Sequence, residues 1–315
     1  MLRERVVAEL RRRLAFEWYV FVLTDPRTAV GVDPLADVPP GLDLPSQIRA
    51  KYLTPVQRWT SLRHAAHLGG QRAESEVWRR ASAHGVADIA SVVFRDGHGC
   101  WGFLDLWSSG TFSTRDTNHL DEVTPAVTAS LRRCQAESLR QRSTVPVEGA
   151  VVVLLDGELR LRGRTTQADD WLSRLLPAQG GRPVVPAVAH NVGAQLLAVE
   201  AGVDRADPAG RVHLGAGAWV TVRAARLGPD EIAVSMEPIV AGERTDLVGR
   251  AFGLSPRERT VLDHLCSGAP TAAIAAALHL SPLTVQDHVK SVFERTGVRT
   301  RGELVALAVG GPVLS

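Results

Sequence analysis

Apolar positions along the chain change their period several times, and each change marks an element. Leu2, Val6, Leu10 and Leu14 recur every four residues with arginines opposite, which predicts an amphipathic helix that packs or dimerises. Trp18 to Leu23 is an aromatic and β-branched run, hence a buried strand, ended by the turn residues Asp25-Pro26-Arg27. Pro34, Pro39, Pro40 and Pro45 assign residues 31–46 to a loop. Helical spacing returns from Gln47 to Leu68, broken near Pro55, and again from Glu74 to Ala83. Ile89 to Arg95 and Cys100 to Trp107 flank Asp96-Gly97-His98-Gly99 and read as a hairpin. A long helix, Asp116 to Arg142, carries Leu120, Val123, Val127, Leu131 and Cys134 at intervals of three or four. That stripe suits either a dimer seam or a helix lying on its own sheet.

The pattern starts again at Gly149. GAVVVLLDGELRLR is a strand, an Asp156-Gly157 turn and a second strand. Thr166 to Leu176 and Pro183 to Leu197 read as helices, and Arg211–Leu214, Ala218–Arg226 and Glu231–Pro238 as an antiparallel meander. Ala241 to Arg250 is short and polar with two glycines, a hinge.

Four short helices follow. Ser255-Pro256 opens the first, whose apolar face is Val261, Leu262 and Leu265, and Ser267-Gly268 closes it. Thr271 is placed as the cap of an Ala-rich helix bearing Ile274, Ala275 and Leu278. His279 to Ser281 turn the chain into a third helix, with Ser281 as N-cap and Pro282 at its first position. Val285, Val289, Val292 and Phe293 form its inner face, so Gln286, Asp287, Lys290, Ser291 and Glu294 face outward. Gly297 ends it, and Glu303 to Val309 supply a fourth helix.

Composition narrows the chemistry. The 315 residues suffice for two or three domains, 45% are hydrophobic, and a net charge of +2 means that any polyanion must be met by a local patch. Residues 250–309 hold seven basic side chains (Arg250, Arg257, Arg259, Lys290, Arg295, Arg299, Arg301) against five acidic ones (Glu258, Asp263, Asp287, Glu294, Glu303), a modest excess that dimerisation would double. Cys100, Cys134 and Cys266 are far apart, which argues for a reducing cytoplasm and against a disulfide framework or structural zinc. No apolar run reaches bilayer length, and the first residues lack a cleavage-site pattern. G-x-x-x-x-G-K-[ST], G-x-S-x-G and H-E-x-x-H are all absent, as is the strand and acidic pair that opens a phospho-accepting receiver domain. The expectation is therefore neither an enzyme nor a cofactor or metal protein. Trp18, Trp59, Trp78, Trp101 and Trp107 all fall in the first domain, as core packing or as the wall of a pocket for an apolar or aromatic ligand.

LSPRERTVLDHLCSG, followed by TVQDHVK and GVRTRGELVALA, resembles the LuxR/FixJ-type four-helix DNA-binding domain from Phe252 to Val309. That resemblance implies that Gln286, Asp287 and Lys290 occupy the base- and backbone-reading positions of a recognition helix. It puts Thr271, Thr284, Arg295, Arg299 and Arg301 on the phosphate side. The family usually has an acidic residue where Ala273 stands and commonly Lys where Gln286 stands. Gln can bridge an adenine and Asp can accept from a cytosine amine, so the sequence preference is expected to be unusual. Upstream, AHGVADIASVVFRDGHGCWGFLDLW resembles a GAF-type sensing domain, and the segment from Gly149 resembles a PAS domain by its order of elements.

The fold class expected is thus multidomain: α+β sensors with antiparallel sheets, GAF-like over 1–142 and PAS-like over 146–240, then an all-α helix-turn-helix domain over 250–315. Such a chain would be a cytoplasmic homodimeric transcription regulator of bacterial type. Its partners would be a double-stranded DNA operator and a small molecule or protein acting on the sensors. The alternatives are an enzyme-like GAF domain or a thiol or redox sensor using His98 and Cys100, or a homoserine-lactone receptor.

Overall fold

The computed structural model describes residues 2–141, 150–166, 168, 187–215 and 217–310. They fall into two compact units: Met1–Leu131 with Gly149–Val212 and Val220–Glu237, and Arg132–Glu148 with His213–Trp219 and Pro238–Ser315.

The first unit holds most of two five-stranded sheets. In the first, β1 (Trp18–Thr24), β2 (Gly31–Asp37), β3 (Ala66–His67), β4 (Asp88–Asp96) and β5 (Gly99–Ser108) take the order β2-β1-β5-β4-β3, and each pairing is antiparallel. The second contains β6 (Val151–Asp156), β7 (Leu161–Arg164), β8 (Ala209–His213), β9 (Trp219–Arg226) and β10 (Glu231–Pro238), in the order β7-β6-β10-β9-β8. Counted within itself, each sheet has the same strand order, so one topology is built twice.

The hairpin expected over 89–107 is present as β4 and β5, and the long helix as α4 (Thr114–Arg140), which follows α1 (Leu2–Arg11), α2 (Leu44–Leu53) and α3 (Glu76–Ser82). Three expectations are corrected. The Pro-rich stretch 31–37 is strand β2, with Pro34 paired to Val22; as the sheet's edge strand it tolerates a residue that cannot donate. The helix expected over 47–68 ends at Leu53, because Thr54 is extended ahead of Pro55. The supposed hinge is helix α6 (Ala241–Ala251), held by the buried Leu247 and Val248. The helix expected over 166–176 lies outside the described residues, and that over 183–197 is α5 (Ala187–Glu200) where described.

Sheet one is covered on both faces. Phe21, Leu104 and Leu106 are fully buried on the face that meets α4, where Leu131 comes to 3.6 Å from the position a Cβ would take on Gly102. Leu120, Val127 and Leu131 are at most 8% exposed within the single chain, Val123 is half-buried and Cys134 is exposed, so part of this stripe covers its own sheet. On the other face Trp107 packs with Ala50, Leu68, Val77, Ala81, Val86 and Ile89.

Buried ion pairs join the segments of this unit. The guanidinium of Arg211 grips Asp25 with two hydrogen bonds of 2.6 and 2.9 Å, and both side chains are almost wholly inside. Burial opposes the charge on Asp25, yet Arg211 and the amides of Arg27 and Thr28 outweigh it and hold this carboxyl below the usual range. Arg58 pairs with Asp204 at 2.6 Å, and Lys51 with Asp105 at 2.7 Å.

Candidate DNA-reading site

The second unit is built on helices α6 to α10, the last four being α7 (Pro256–Cys266), α8 (Thr271–Leu278), α9 (Pro282–Thr296) and α10 (Arg301–Val309). Local sequence fixes their ends. Ser255 and Glu258 form a reciprocal cap: the Glu258 amide donates to Ser255 Oγ at 3.3 Å, and the Ser255 amide to Glu258 Oε2 at 2.7 Å. His279 closes α8 in the left-handed conformation at φ 53°, and Ser281 Oγ accepts the Thr284 amide at the start of α9. Gly297 at φ 71° ends α9, a conformation that glycine adopts freely. The cap of α8 is Pro270; Thr271 is its first helical residue and makes no capping hydrogen bond, which corrects the expected role.

Helix α9 packs on α7 and α8 through Val285 and Val292, both fully buried. Gln286, Asp287, Lys290 and Glu294 are exposed, as the helical period requires. Ser291 departs from the expected outward set: its hydroxyl donates to Glu258 Oε1 at 2.5 Å, so it holds α9 against α7. Glu258 is 5% exposed. Burial would raise its pKa, but the bonds from Ser291 and Ser255 and the nearby Arg295 outweigh this and leave the carboxyl below its ordinary value. Glu258 was missed as a positioning residue, although its S-x-x-E spacing with Ser255 was legible.

The arginines divide into two groups. Arg301 donates to the carbonyls of Ala269 at 2.7 Å and Leu265 at 3.3 Å, while Arg295 donates to Gly253 and lies 3.5 Å from Glu258. Arg257 likewise caps α8 at the Leu278 carbonyl, and Arg250 pairs with Asp246. These guanidinium groups satisfy helix ends and carboxylates inside the unit. Lys290 and Arg299 are exposed, and their side chains make no hydrogen bond or ion pair among the described residues. Thr284 is half-buried with its hydroxyl on Ser281, and Thr271 is half-buried. The count of seven basic residues therefore overstates the charge free to meet a polyanion.

A helix-turn-helix whose second helix presents Gln286, Asp287 and Lys290 fits a major groove. The description "GerE: Bacterial regulatory proteins, luxR family" matches residues 253–308, which contain all of α7, α8 and α9. The response regulator RamR of Streptomyces coelicolor is 31% identical over 162 residues, 50% of this chain and 72% of that protein. The chain belongs to the luxR family of bacterial regulatory proteins. The probable transcriptional regulatory protein NarL of Mycobacterium tuberculosis is 41% identical over 83 residues, and the chain spans only 38% of its length. Escherichia coli SdiA aligns over 98% of this luxR-family chain and 90% of its own at 12% identity and a TM-score of 0.31, too distant to bear on function.

Three of the five tryptophans share one core and two lie elsewhere. Trp107 is buried with Trp18 and Trp78 packed around its cluster, whereas Trp59 sits between Tyr52 and Phe103, and Trp101 donates to Asp96 near the hairpin. A cavity of about 260 Å³ is lined by Arg49, Leu53, Thr54, Glu74, Arg79 and neighbours, and by none of the five. Burial pushes the Cys100 thiol up, away from the thiolate a redox sensor needs. Among the described residues no His, Cys, Asp and Glu cluster could hold a metal, and no helix is long and apolar enough to cross a membrane.

Proposed function

We propose that this luxR-family regulator binds double-stranded DNA sequence-specifically as a homodimer, laying α9 of each copy into successive major grooves of a two-fold operator. The observation that carries this reading is the division of α9: Val285 and Val292 are buried, while Gln286, Asp287 and Lys290 are exposed and unobstructed along one face. Gln286 offers paired hydrogen bonds to adenine, Asp287 an acceptor for the cytosine amine, and Lys290 a charge for guanine or phosphate. Arg299 supplies a phosphate contact, and Thr271, Thr284, Arg295 and Arg301 support the same side of the unit.

In the same reading the two sheets are sensing modules, the first GAF-like (1–142) and the second PAS-like (146–240), through which a small apolar or aromatic molecule or a protein partner controls the DNA-binding segment (250–315) in the cytoplasm. The repeated strand order of the two sheets supports reading them as two modules of one kind.

The test is enrichment of a random duplex pool by the full chain, then binding of the enriched sequence by Gln286→Ala and Lys290→Ala. Relaxed or lost selection with the assembly state unchanged supports the assignment. Sequence selection unaltered in both variants would sink it.

A further inference from the structure

The recognition face of α9 carries one residue that folding does not explain. Leu283 is 68% exposed, more than Leu44, Leu227 or Val240, the other large apolar side chains at the surface. It stands three, four and seven residues before Gln286, Asp287 and Lys290, so the helical period sets all four on one face. The inward positions of the same helix are filled by Val285 and Val292. The neighbours of Leu283 on that face are polar, so a single leucine here does not amount to the contiguous apolar patch that marks a protein interface.

We propose that Leu283 is a base-reading residue, and that its partner is the C5-methyl group of a thymine. Every base pair displays hydrogen-bonding edges on the major-groove floor, and thymine adds to its O4 acceptor a C5-methyl group, the floor's main apolar feature. A leucine pressed against a guanine or cytosine edge would leave polar atoms without partners, so it selects for thymine and against G·C. Helix rise separates Leu283 from Gln286 by about 4.5 Å, comparable to the rise of one base pair. The thymine therefore lies one or two base pairs from the pair that Gln286 contacts. The inference rests on the DNA-reading assignment above and adds to it an apolar determinant of specificity.

The experiment uses the full chain and the duplex it enriches from a random pool, rebuilt with deoxyuridine in place of each thymidine in turn. That exchange removes only the methyl group. At one position per half-site, wild type is expected to bind the deoxyuridine duplex about fourfold more weakly, the value of burying one methyl group. Leu283→Ala is expected to bind the two duplexes equally, whereas Leu283→Met, which stays apolar, keeps the difference. An enriched sequence at which no thymidine exchange matters overturns the inference alone, as does an L283A protein that still distinguishes the two bases. A chain that enriches no sequence overturns the DNA-reading assignment and this inference with it.

Discussion

The Arg140 guanidinium donates from Nη2 to the main-chain oxygen of Thr296 at 2.7 Å, joining the last turn of α4 to the last turn of α9. The same guanidinium lies 4.9 Å over the Phe252 ring. Thr296 ends α9, where carbonyls lack intrahelical partners and a cation is favoured. Arg244, 5% exposed, does the same for two other helix ends, donating to Leu139 at 2.9 Å and to Leu307 at 3.3 Å. Arg140→Ala is expected to loosen the end of α9 by about 1 kcal/mol. Faster amide exchange at Thr296 and Gly297, with Val285 unaffected, is the expected result; unchanged exchange there would remove Arg140 as a clamp.

Glu258 links a pH dependence to the same helix. Its folded pKa lies below the ordinary value of 4.5, so the native state takes up a proton less readily than the unfolded chain. The stabilisation is fully present above that ordinary value and disappears as pH falls through the lower folded value. Glu258→Gln is expected to destabilise the helical unit by about 1–2 kcal/mol at neutral pH. Denaturation followed at neutral pH and near pH 3 checks this: the gap between wild type and variant should close in acid.

The Asp25–Arg211 pair makes a different demand. Asp25→Asn removes the carboxylate charge facing the buried Arg211 guanidinium, at an expected cost of about 3–5 kcal/mol. The double variant Asp25→Leu, Arg211→Met removes both charges and is expected to recover much of that loss. Urea unfolding of wild type, Asp25→Leu, Arg211→Met and the double variant measures the coupling directly. Equal stability of D25N and wild type would show that the pair holds nothing together.

Arg299 and Arg301 are two residues apart and should behave differently. Arg299→Ala is expected to weaken DNA binding evenly across sequences and to lower the slope of log K against log salt by about 0.9, the share of one phosphate contact. Arg301→Ala should leave that slope alone and destabilise the unit instead, since its guanidinium already serves the Ala269 and Leu265 carbonyls. Salt titrations of the three proteins decide it.

The thiols provide a further check. Cys134 is exposed and Cys100 is buried with its pKa raised by that burial. A thiol reagent at neutral pH is expected to label Cys134 first and Cys100 far more slowly than free cysteine, read by intact mass after digestion. Rapid labelling of Cys100 would reopen the thiol-sensor alternative.

Periodicity, caps and turn residues are local, and what depends on them was legible in the sequence. The β4–β5 hairpin, α4, the Ser255 and Ser281 caps, the Gly297 terminus and the outward Gln286, Asp287 and Lys290 all follow from neighbours within a few positions. Long-range pairing was not legible. Pro34 sits in a strand because that strand lies at a sheet edge, and α6 is a helix whose Leu247 and Val248 are buried as it packs on both α7 and the distant α10. Distance in sequence likewise hid the uses of charge. Nothing near Arg301 announces that it will meet Ala269, nor near Arg140 that it will meet Thr296, because orphan carbonyls at helix ends exist only once those ends are brought together. Sequence alone determined which helix follows the turn and which of its side chains face outward. Tertiary structure decided which cations were left to accompany them and which tryptophans share a core, since burial and hydrogen bonding are properties of the packed chain.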